Sequence, residues 1–505
     1  MNEIRVGAAL SYVIIAINAL VGIAYTPFML RMLGQSEYGL YSLVASVIAY
    51  LTILDLGFEN TIIRYTSKFR TEGKLQEQYE MFGMFFRVYI IIGLIAFILG
   101  LILSFNVGAL FYKTMSSDEL RKMKVMFILM SINLAFTFPL SIFGSIIAAY
   151  EKFIFQKLVI LVRVVLNPIV FIIVLFFGYK AIALVVITTL FNILTLSVNC
   201  WYCLKKLNIK IYFTNFNWSF LKEVSIFSLW IFVGTIMDRI YWNTGQFILG
   251  IFKGADSVAV YSVAIQLKQM FFLFSTAIAG VLLPKVTGMI TSKVENVEIS
   301  NLFIKTGRVQ FLIMSFILSA FIAIGRQFVN LWAGPEYDMA YFIALLFFVS
   351  SLIPLIQNVG ITILIARDQM KFRSLLYLLI SVSSIFIAIP LAKEYGGIGC
   401  ALATSMALFF GNVLIMNIYY HKKVHIDMLK FWTEIGKMTI VPLMFSIIGL
   451  FVFRKFGVNS ISLFIKYAII FAILYILAVW RIGMNKYEKE TVKSIINNIY
   501  TRLLR

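Results

Sequence analysis

Charged side chains are scarce in this sequence of 505 residues. Asp, Glu, Lys and Arg together make up 13% of the chain, whereas about a quarter is usual in soluble domains. Apolar residues make up 61%, and they gather in runs of about 20 residues, the length of a helix that crosses a bilayer. The scarcity of charge excludes a soluble globular domain and indicates a polytopic membrane protein.

Acidic residues and cysteines are scarcer still. The chain has 23 Asp and Glu against 44 Lys and Arg, a net charge of +21, and only 3 Cys and 2 His. Because Lys and Arg collect in the cytoplasmic loops of membrane proteins, this excess predicts no nucleic-acid partner. Cys200 and Cys203 form a C-x-x-C at a helix end without the strand of a redox motif, so no metal site and no cofactor are expected.

The sequence also lacks the signatures of an enzyme. It has no G-x-x-x-x-G-K-[ST] loop, so ATP hydrolysis by this chain alone is not expected. The connections between apolar runs are short, and those holding Glu336 and Asp338 or Asp118 and Glu119 are too short to build a sugar-binding active site. We therefore predict no catalytic residue.

Fourteen apolar runs qualify as membrane-spanning helices, which predicts an all-α fold. An even number of spans places both termini on the same side of the membrane. The segments on the side of the termini hold more than twice as many Lys and Arg as those on the other side, which predicts cytoplasmic termini. The predicted centres are near residues 20, 49, 94, 137, 166, 192, 237, 269, 315, 353, 382, 409, 445 and 472.

The two halves of the chain resemble each other. LGQSEYGLYSLV (33–44) is similar to LGIFKGADSVAVYSVA (249–264), so that Tyr41 corresponds to Tyr261. FQKLVILV (155–162) matches FRSLLYLL (372–379) at nearly the same offset, so that Phe155 corresponds to Phe372. A repeat of six helices predicts two parallel lobes with a central cavity between them.

The repeat suggests a division of the chain into three parts. We expect an N-lobe over 1–210, a C-lobe over 211–432, and a third part over 433–505 with helices 13 and 14 and a basic tail. In that tail, apolar residues fall on one helical face, as in a helix that lies on an anionic membrane surface. These residues are Val492, Ile495, Ile496, Ile499 and Leu503.

Ionisable residues inside the apolar runs are candidates for a functional site, since a charge at the bilayer centre costs roughly 2.5–3.5 kcal/mol. Arg163, Arg239 and Lys268 lie deep in spans five, seven and eight, with Asp238 as the mid-depth counter-ion. This surplus of cations predicts a wet cavity that binds a phosphate or pyrophosphate group.

Neutral polar residues recur at helical spacing along the same and neighbouring spans. They suit hydrogen bonds to sugars in the cavity, and contacts between packed helices are an equally good alternative. The neutral residues of the predicted site are Asn18, Tyr25, Asn243 and Gln246. Asp55 and Glu59 in span two are four positions apart, so they share a helical face and, with Arg64, predict a structural charge cluster.

Four stretches resemble blocks of a known family: LGQSEYGLYSLVASVIAYLTILDLGFENTIIRY (33–65), YEKFIFQKLVILVRVVLNPIV (150–170), PLIQNVGITILIARDQMKFRSLLYL (354–378) and YGGIGCALATSMALFFGNVLIMNIYYHKK (395–423). They are similar to the polysaccharide transport family of the multidrug/oligosaccharidyl-lipid/polysaccharide flippase superfamily. The resemblance implies a flippase of the bacterial cytoplasmic membrane. Such proteins move undecaprenyl-pyrophosphate-linked oligosaccharides between leaflets, through a cationic cavity between two lobes.

Two alternatives stay open. A multidrug or cation antiporter of the same superfamily would be expected to place acidic residues in spans one and seven, where this chain has only Asp238 beside Arg239. A non-transporting membrane scaffold would instead use the basic tail over 487–505 as a contact surface. The expected partners are a lipid-linked oligosaccharide, membrane lipids, and the polysaccharide polymerase and glycosyltransferases of the same assembly.

Overall fold

The computed structural model describes residues 3–214, 216–456, 460–490 and 493–494. Two predictions fall outside this part of the chain: the side chain of Asp238, and the apolar face of the tail formed by Val492, Ile495, Ile496, Ile499 and Leu503. The side chains at 4, 5, 8, 226–231, 235, 238, 277–281, 283–284 and 454–456 are likewise not described.

Over the described residues the chain forms sixteen α-helices and no strand, which confirms the all-α prediction. Short 3₁₀ or π segments adjoin several of them. The helices are α1 (Glu3–Leu33), α2 (Gln35–Leu51), α3 (Phe58–Thr71), α4 (Leu75–Phe111), α5 (Ser117–Ala149), α6 (Phe153–Phe176), α7 (Ala181–Lys205), α8 (Trp218–Lys253), α9 (Ala255–Thr291), α10 (Asn296–Trp332), α11 (Met339–Ile356), α12 (Val359–Ala366), α13 (Met370–Leu408), α14 (Met416–Lys422), α15 (Met428–Phe456) and α16 (Ile461–Ala478).

Twelve helical stretches within the described residues are long and apolar enough to cross a membrane. One of them, Met370–Lys422, has 53 residues. At 1.5 Å per residue it would extend about 80 Å, against about 30 Å of hydrocarbon, so it holds two spans. Helix α8 has 36 residues and lies outside those twelve stretches. The structure therefore shows twelve candidate stretches among the described residues, and the exact count of fourteen spans stays a prediction.

Local sequence signals set several helix ends. Ser116 and Glu119 form a capping box at the start of α5, in which each side chain binds the backbone N–H of the other. Asn217 starts α8 by accepting a hydrogen bond from the Phe220 N–H at 2.9 Å. Between α2 and α3, Leu56 and Gly57 both adopt left-handed φ values, of 55° and 73°, which interrupts the second span near its middle.

Residues with positive φ provide an independent view of the internal repeat. Five pairs of them recur at nearly the offset that relates the matching sequences of the two halves. Positive φ is given for only 13 of the described residues, six of them not glycine, so five pairs at nearly one spacing indicate the same backbone path in both halves. The pairs are Gly34 and Gly254, Gly73 and Lys293, Glu151 and Asp368, Gly178 and Gly396, and Asn208 and His425.

The chain divides into two compact units. The first contains Met1–Ser262 and Ala392–Gly397, and the second contains Val263–Leu391 and Ile398–Arg505. The predicted division at residues 210 and 432 rests on the repeat rather than on compactness, and it stays a prediction. Within the first unit, α4 packs on α5, α5 on α7, and α1 on α6, while α10 packs on α15 in the second.

Candidate functional site

Arg163 lies near the middle of α6 and is held by polar residues of two other helices. Its Nη1 donates to Asn192 Oδ1 of α7 at 3.0 Å. The Asn192 amide in turn donates to Asn133 Oδ1 at 2.8 Å and to Thr137 Oγ1 at 2.7 Å, both on α5. These four residues, here called the Arg163 cluster, fix the guanidinium at mid-helix in the first unit.

The Arg163 cluster orients a positive charge without neutralising it. Within the described residues no carboxylate lies within 4.0 Å of the Arg163 guanidinium. A guanidinium has five N–H donors, and the hydrogen bond to Asn192 uses one of them. Because the partner is a neutral amide and the group is only half-buried, an anion that reaches it can take the remaining donors.

Two further polar atoms, one on α6 and one on the helix packed against it, lack hydrogen-bond partners. Asn167 Oδ1 lies one helical turn from Arg163, and Tyr25 Oη belongs to the adjoining helix α1; both atoms are buried and unpaired. The Tyr25 ring lies 5.9 Å from that of Phe171 on α6. Since a buried polar atom without a partner costs free energy, these two positions suit hydroxyl groups of a ligand.

The second half of the chain has no counterpart of this cluster. With Phe155 aligned to Phe372, Arg163 falls at Ile380 and Asn192 at Phe409. Other polar contacts do recur. Asp55 accepts from Tyr89 Oη of α4 at 2.9 Å, and its counterpart in the repeat, Ser275, accepts from Gln310 Nε2 of the equivalent helix α10 at 3.4 Å. The Arg163 cluster is therefore a property of the first half and not of the fold.

The predicted site residues of α8 differ in whether their side chains have partners within the protein. Gln246 is buried and donates to Ser262 Oγ at 2.7 Å, as expected for a contact between packed helices. Asn243 donates to Arg239 O at 3.2 Å in its own helix. Arg239 is half-buried and has no ion pair with a described side chain. In the same helix, Thr244 forms a hydrogen bond with Tyr50 of α2 at 2.6 Å.

The surroundings of Lys268 differ from those expected for a residue that lines a wet cavity. It is 3% exposed, and its ammonium lies 5.4 Å and 5.8 Å from the ring centres of Phe272 and Phe347, all within the second unit. Aromatic faces attract a cation and compensate part of its lost hydration. Its role as an anion contact stays a prediction, as does the sugar-binding role of Asn18, which is exposed on α1.

The predicted cluster of Asp55, Glu59 and Arg64 assumed one continuous helix, and this assumption is wrong. The left-handed residues Leu56 and Gly57 separate Asp55 from the helix that carries the other two, so the spacing of four does not place them on one face. Asp55 is half-buried and bound by Tyr89, whereas Glu59 and Arg64 are exposed on α3. Their role as a charge cluster stays a prediction.

The sequence analysis missed an arginine of a different kind. Arg308 of α10 is 4% exposed; its Nε and Nη2 donate to the carboxylate of Glu488 at 2.6 and 3.0 Å. Its Nη1 donates to Glu434 Oε2 at 2.8 Å. These three residues, the Arg308 cluster, join α10, α15 and the segment after α16. Arg308 lies at the predicted end of a span and not deep within an apolar run, so the search for charges inside spans did not select it.

Comparisons with known proteins agree with this architecture. The profile of the family described as "Polysaccharide biosynthesis protein" matches residues 5–290. A Shigella flexneri protein named "Putative O-antigen transporter" is 22% identical over 435 residues, covering 80% of this chain and 94% of that protein.

Solved structures share the fold. "Lipid II flippase MurJ, inward closed conformation" has a TM-score of 0.73 and 17% identity, covering 94% of this chain and 99% of that one. An inward-facing multidrug resistance MATE family transporter of the MOP superfamily has a TM-score of 0.62 and 13% identity, covering 78% and 96%. The molecule is thus a multi-pass membrane protein with the fold of these flippases and transporters. Because the profile spans more than half of its length, the chain belongs to the polysaccharide biosynthesis protein family, which confirms the predicted resemblance.

Proposed function

We propose that this protein is a flippase that moves a lipid-linked oligosaccharide across the bacterial cytoplasmic membrane by alternating access. The observation that carries the proposal is Arg163, a mid-helix cation held by a neutral amide and by no described carboxylate. An unneutralised arginine is costly inside a membrane and is expected where an anionic group passes. Membership of a polysaccharide biosynthesis family supports a lipid-linked sugar as the molecule that bears this anionic group.

In this proposal the substrate is an undecaprenyl-pyrophosphate-linked repeat unit, and each part of it meets different chemistry. The pyrophosphate binds the Arg163 guanidinium, whose planar fork can take two phosphate oxygens at once. Arg239 is a second anion contact. Tyr25 Oη, which lacks a partner, donates to or accepts from a sugar hydroxyl, and Asn167 Oδ1, which also lacks one, accepts from a sugar hydroxyl. The polyprenyl chain stays in the lipid, both termini lie in the cytoplasm, and the protein has no catalytic step.

The test is export of surface polysaccharide in cells that depend on this protein. Arg163→Ala should abolish export at normal protein level, and Arg163→Lys should restore part of it, because a lysine keeps the charge and loses the fork. Arg121→Ala is the matched control, since Arg121 is an exposed arginine at the start of α5. Full export by Arg163→Ala would refute the proposal.

A further inference from the structure

A cavity of about 910 Å³ lies within the second unit, between the end of α9 and the first turns of α10. We call this cavity the Lys285 pocket. Its polar lining includes Lys285, Lys305, Asn301 and Tyr487. Leu302 and other apolar residues form the rest of the wall. The Arg163 cluster lies in the other unit, so this cavity is a separate site.

The Lys285 pocket carries a surplus of positive charge. Within the described residues no carboxylate lies within 4.0 Å of the ammonium of Lys285 or Lys305. Lys430 adds a third cation at the rim by donating to Asn301 Oδ1 at 3.2 Å. Among the described lining residues Glu298 is the one acidic side chain, so the local balance favours an anion.

The Arg308 cluster gives this pocket a fixed wall. Glu488 is bound through both carboxylate oxygens to buried Arg308, and Tyr487 precedes it directly in the chain. The Tyr487 ring then lies 4.9 Å from the Lys305 ammonium. Such a wall is already in place before any ligand arrives, which lowers the cost of binding.

The helix lengths place the pocket at the membrane surface. Helices α9 and α10 have 37 residues each, about 55 Å at 1.5 Å per residue, while the hydrocarbon core is about 30 Å thick. The apolar run of α9 ends at Leu283, and Lys285 is the first charged residue beyond it. The lysines therefore lie where lipid headgroups are found.

The first half of the chain has an equivalent cavity of opposite charge. It measures about 390 Å³ and includes Tyr65, which corresponds to Lys285 when Tyr41 is aligned to Tyr261. Its charged lining residues are Lys68 and three carboxylates, those of Glu77, Glu80 and Glu223. The repeat thus accounts for a groove in each half, but the basic character belongs to the second half alone.

We propose that the Lys285 pocket binds the phosphate headgroup of an anionic membrane phospholipid. Lys285 and Lys305 contact the phosphodiester, Asn301 and Tyr487 bind the polar headgroup, and Leu302 lies against the first carbons of an acyl chain. A phosphodiester carries a single charge, which two flexible ammonium groups can reach as point charges without the planar geometry of arginine. Each basic residue near such a surface contributes about 1 kcal/mol to lipid attraction, about fivefold in affinity.

The test is titration of the purified full chain in neutral detergent with short-chain phosphatidylglycerol, and with phosphatidylcholine as the neutral lipid. We expect phosphatidylglycerol to bind and Lys285→Gln/Lys305→Gln to weaken it about 30-fold. Lys205→Gln/Lys206→Gln, at the exposed end of α7, is the matched control and should bind as the wild type does. Lys285→Gln alone, at an exposed position, should weaken binding about fivefold if the double variant does not fold.

Two outcomes would overturn the proposal. The first is equal affinity of the wild type and the double variant for phosphatidylglycerol. The second is that a short-chain prenyl pyrophosphate displaces phosphatidylglycerol at lower concentration and depends on the same two lysines, which would assign the pocket to the transported lipid. Export assays with Arg163 variants do not bear on either result, so this proposal and the proposed function fail separately.

Discussion

Arg163 and Arg308 are both arginines within long apolar helices, but their surroundings differ in kind. Arg308 is 4% exposed and bound by the carboxylates of Glu488 and Glu434. Arg163 is half-buried and bound by the neutral amide of Asn192. A buried arginine saturated by two acids fixes helices together. One that is oriented but not neutralised still has its charge available for a ligand.

The internal repeat sharpens this comparison. Positive-φ residues recur in pairs along both halves, so the two halves share a backbone path. A polar contact at matching positions in both halves, such as Asp55 with Tyr89 and Ser275 with Gln310, is explained by the fold. The Arg163 cluster, which is replaced by Ile380 and Phe409 in the second half, requires a different explanation, and binding of an anion provides it.

The largest effect on stability should come from the Arg308 cluster. Glu488→Ala leaves the buried guanidinium with one carboxylate, and breaking a buried ion pair costs about 3–5 kcal/mol. Thermal unfolding of the purified protein measures this loss. Glu490→Ala, at an exposed position close by in the chain, is the control and should change the free energy of unfolding by less than about 0.5 kcal/mol. Equal stability of both variants would show that the pair is not structural.

Giving Arg163 a carboxylate partner, as Arg308 has, should abolish transport without unfolding the protein. Asn192→Asp places a carboxylate beside the Arg163 guanidinium, so the cation is neutralised as Arg308 is. We expect polysaccharide export to fall by about tenfold or more, because charge-assisted hydrogen bonds contribute about 1.5–3 kcal/mol. Asn192→Gln, which keeps a neutral amide, is the control. Normal export by the Asp variant would contradict the comparison.

An exposed ion pair should have a smaller effect that depends on pH. Arg326 donates to Asp338 at 2.8 Å, and this hydrogen bond holds the pKa of the Asp338 carboxyl below its usual value. The stabilisation is present above the unfolded pKa of about 3.9 and is lost as the pH falls through the lower folded pKa. Asp338→Asn should cost at most about 1 kcal/mol at pH 7, and in acid unfolding the difference from the wild type should shrink below about pH 4 and vanish only below the lower folded pKa.

The smallest effect on export is expected at Asp55. Its counterpart Ser275 accepts a comparable hydrogen bond from Gln310 without a charge, so Asp55→Asn should keep the bond to Tyr89 and leave polysaccharide export unchanged. Export from cells that carry Asp55→Asn measures this. Loss of export in Asp55→Asn at normal protein level would contradict the prediction.

Much of the architecture could be predicted because its signals are periodic or compositional. Apolar runs identified the spans, and similar sequences at a nearly constant offset identified a repeat that the backbone conformation also shows. The break at Leu56 and Gly57 was missed, since a single glycine in an apolar run is common in membrane helices. Only the backbone angles distinguish it from a continuous span.

The candidate site was predicted in part for a different reason. A charged residue such as Arg163 stands out in an apolar run, whereas Asn133, Thr137 and Asn192 are neutral residues on two other helices. Their convergence depends on how α5, α6 and α7 pack, which no local pattern encodes. The same holds for Lys268, whose depth was predicted but whose aromatic surroundings come from Phe272 and from Phe347 of another helix.

Binding of the substrate by purified protein tests the central claim most directly. Affinity for a lipid-linked oligosaccharide with a pyrophosphate group should be measured for the wild type, Arg163→Ala and Arg121→Ala in the same detergent. The account predicts that Arg163→Ala binds about tenfold more weakly or worse, while its thermal stability and the affinity of the Arg121 control stay unchanged. Equal affinity of the wild type and Arg163→Ala would contradict it.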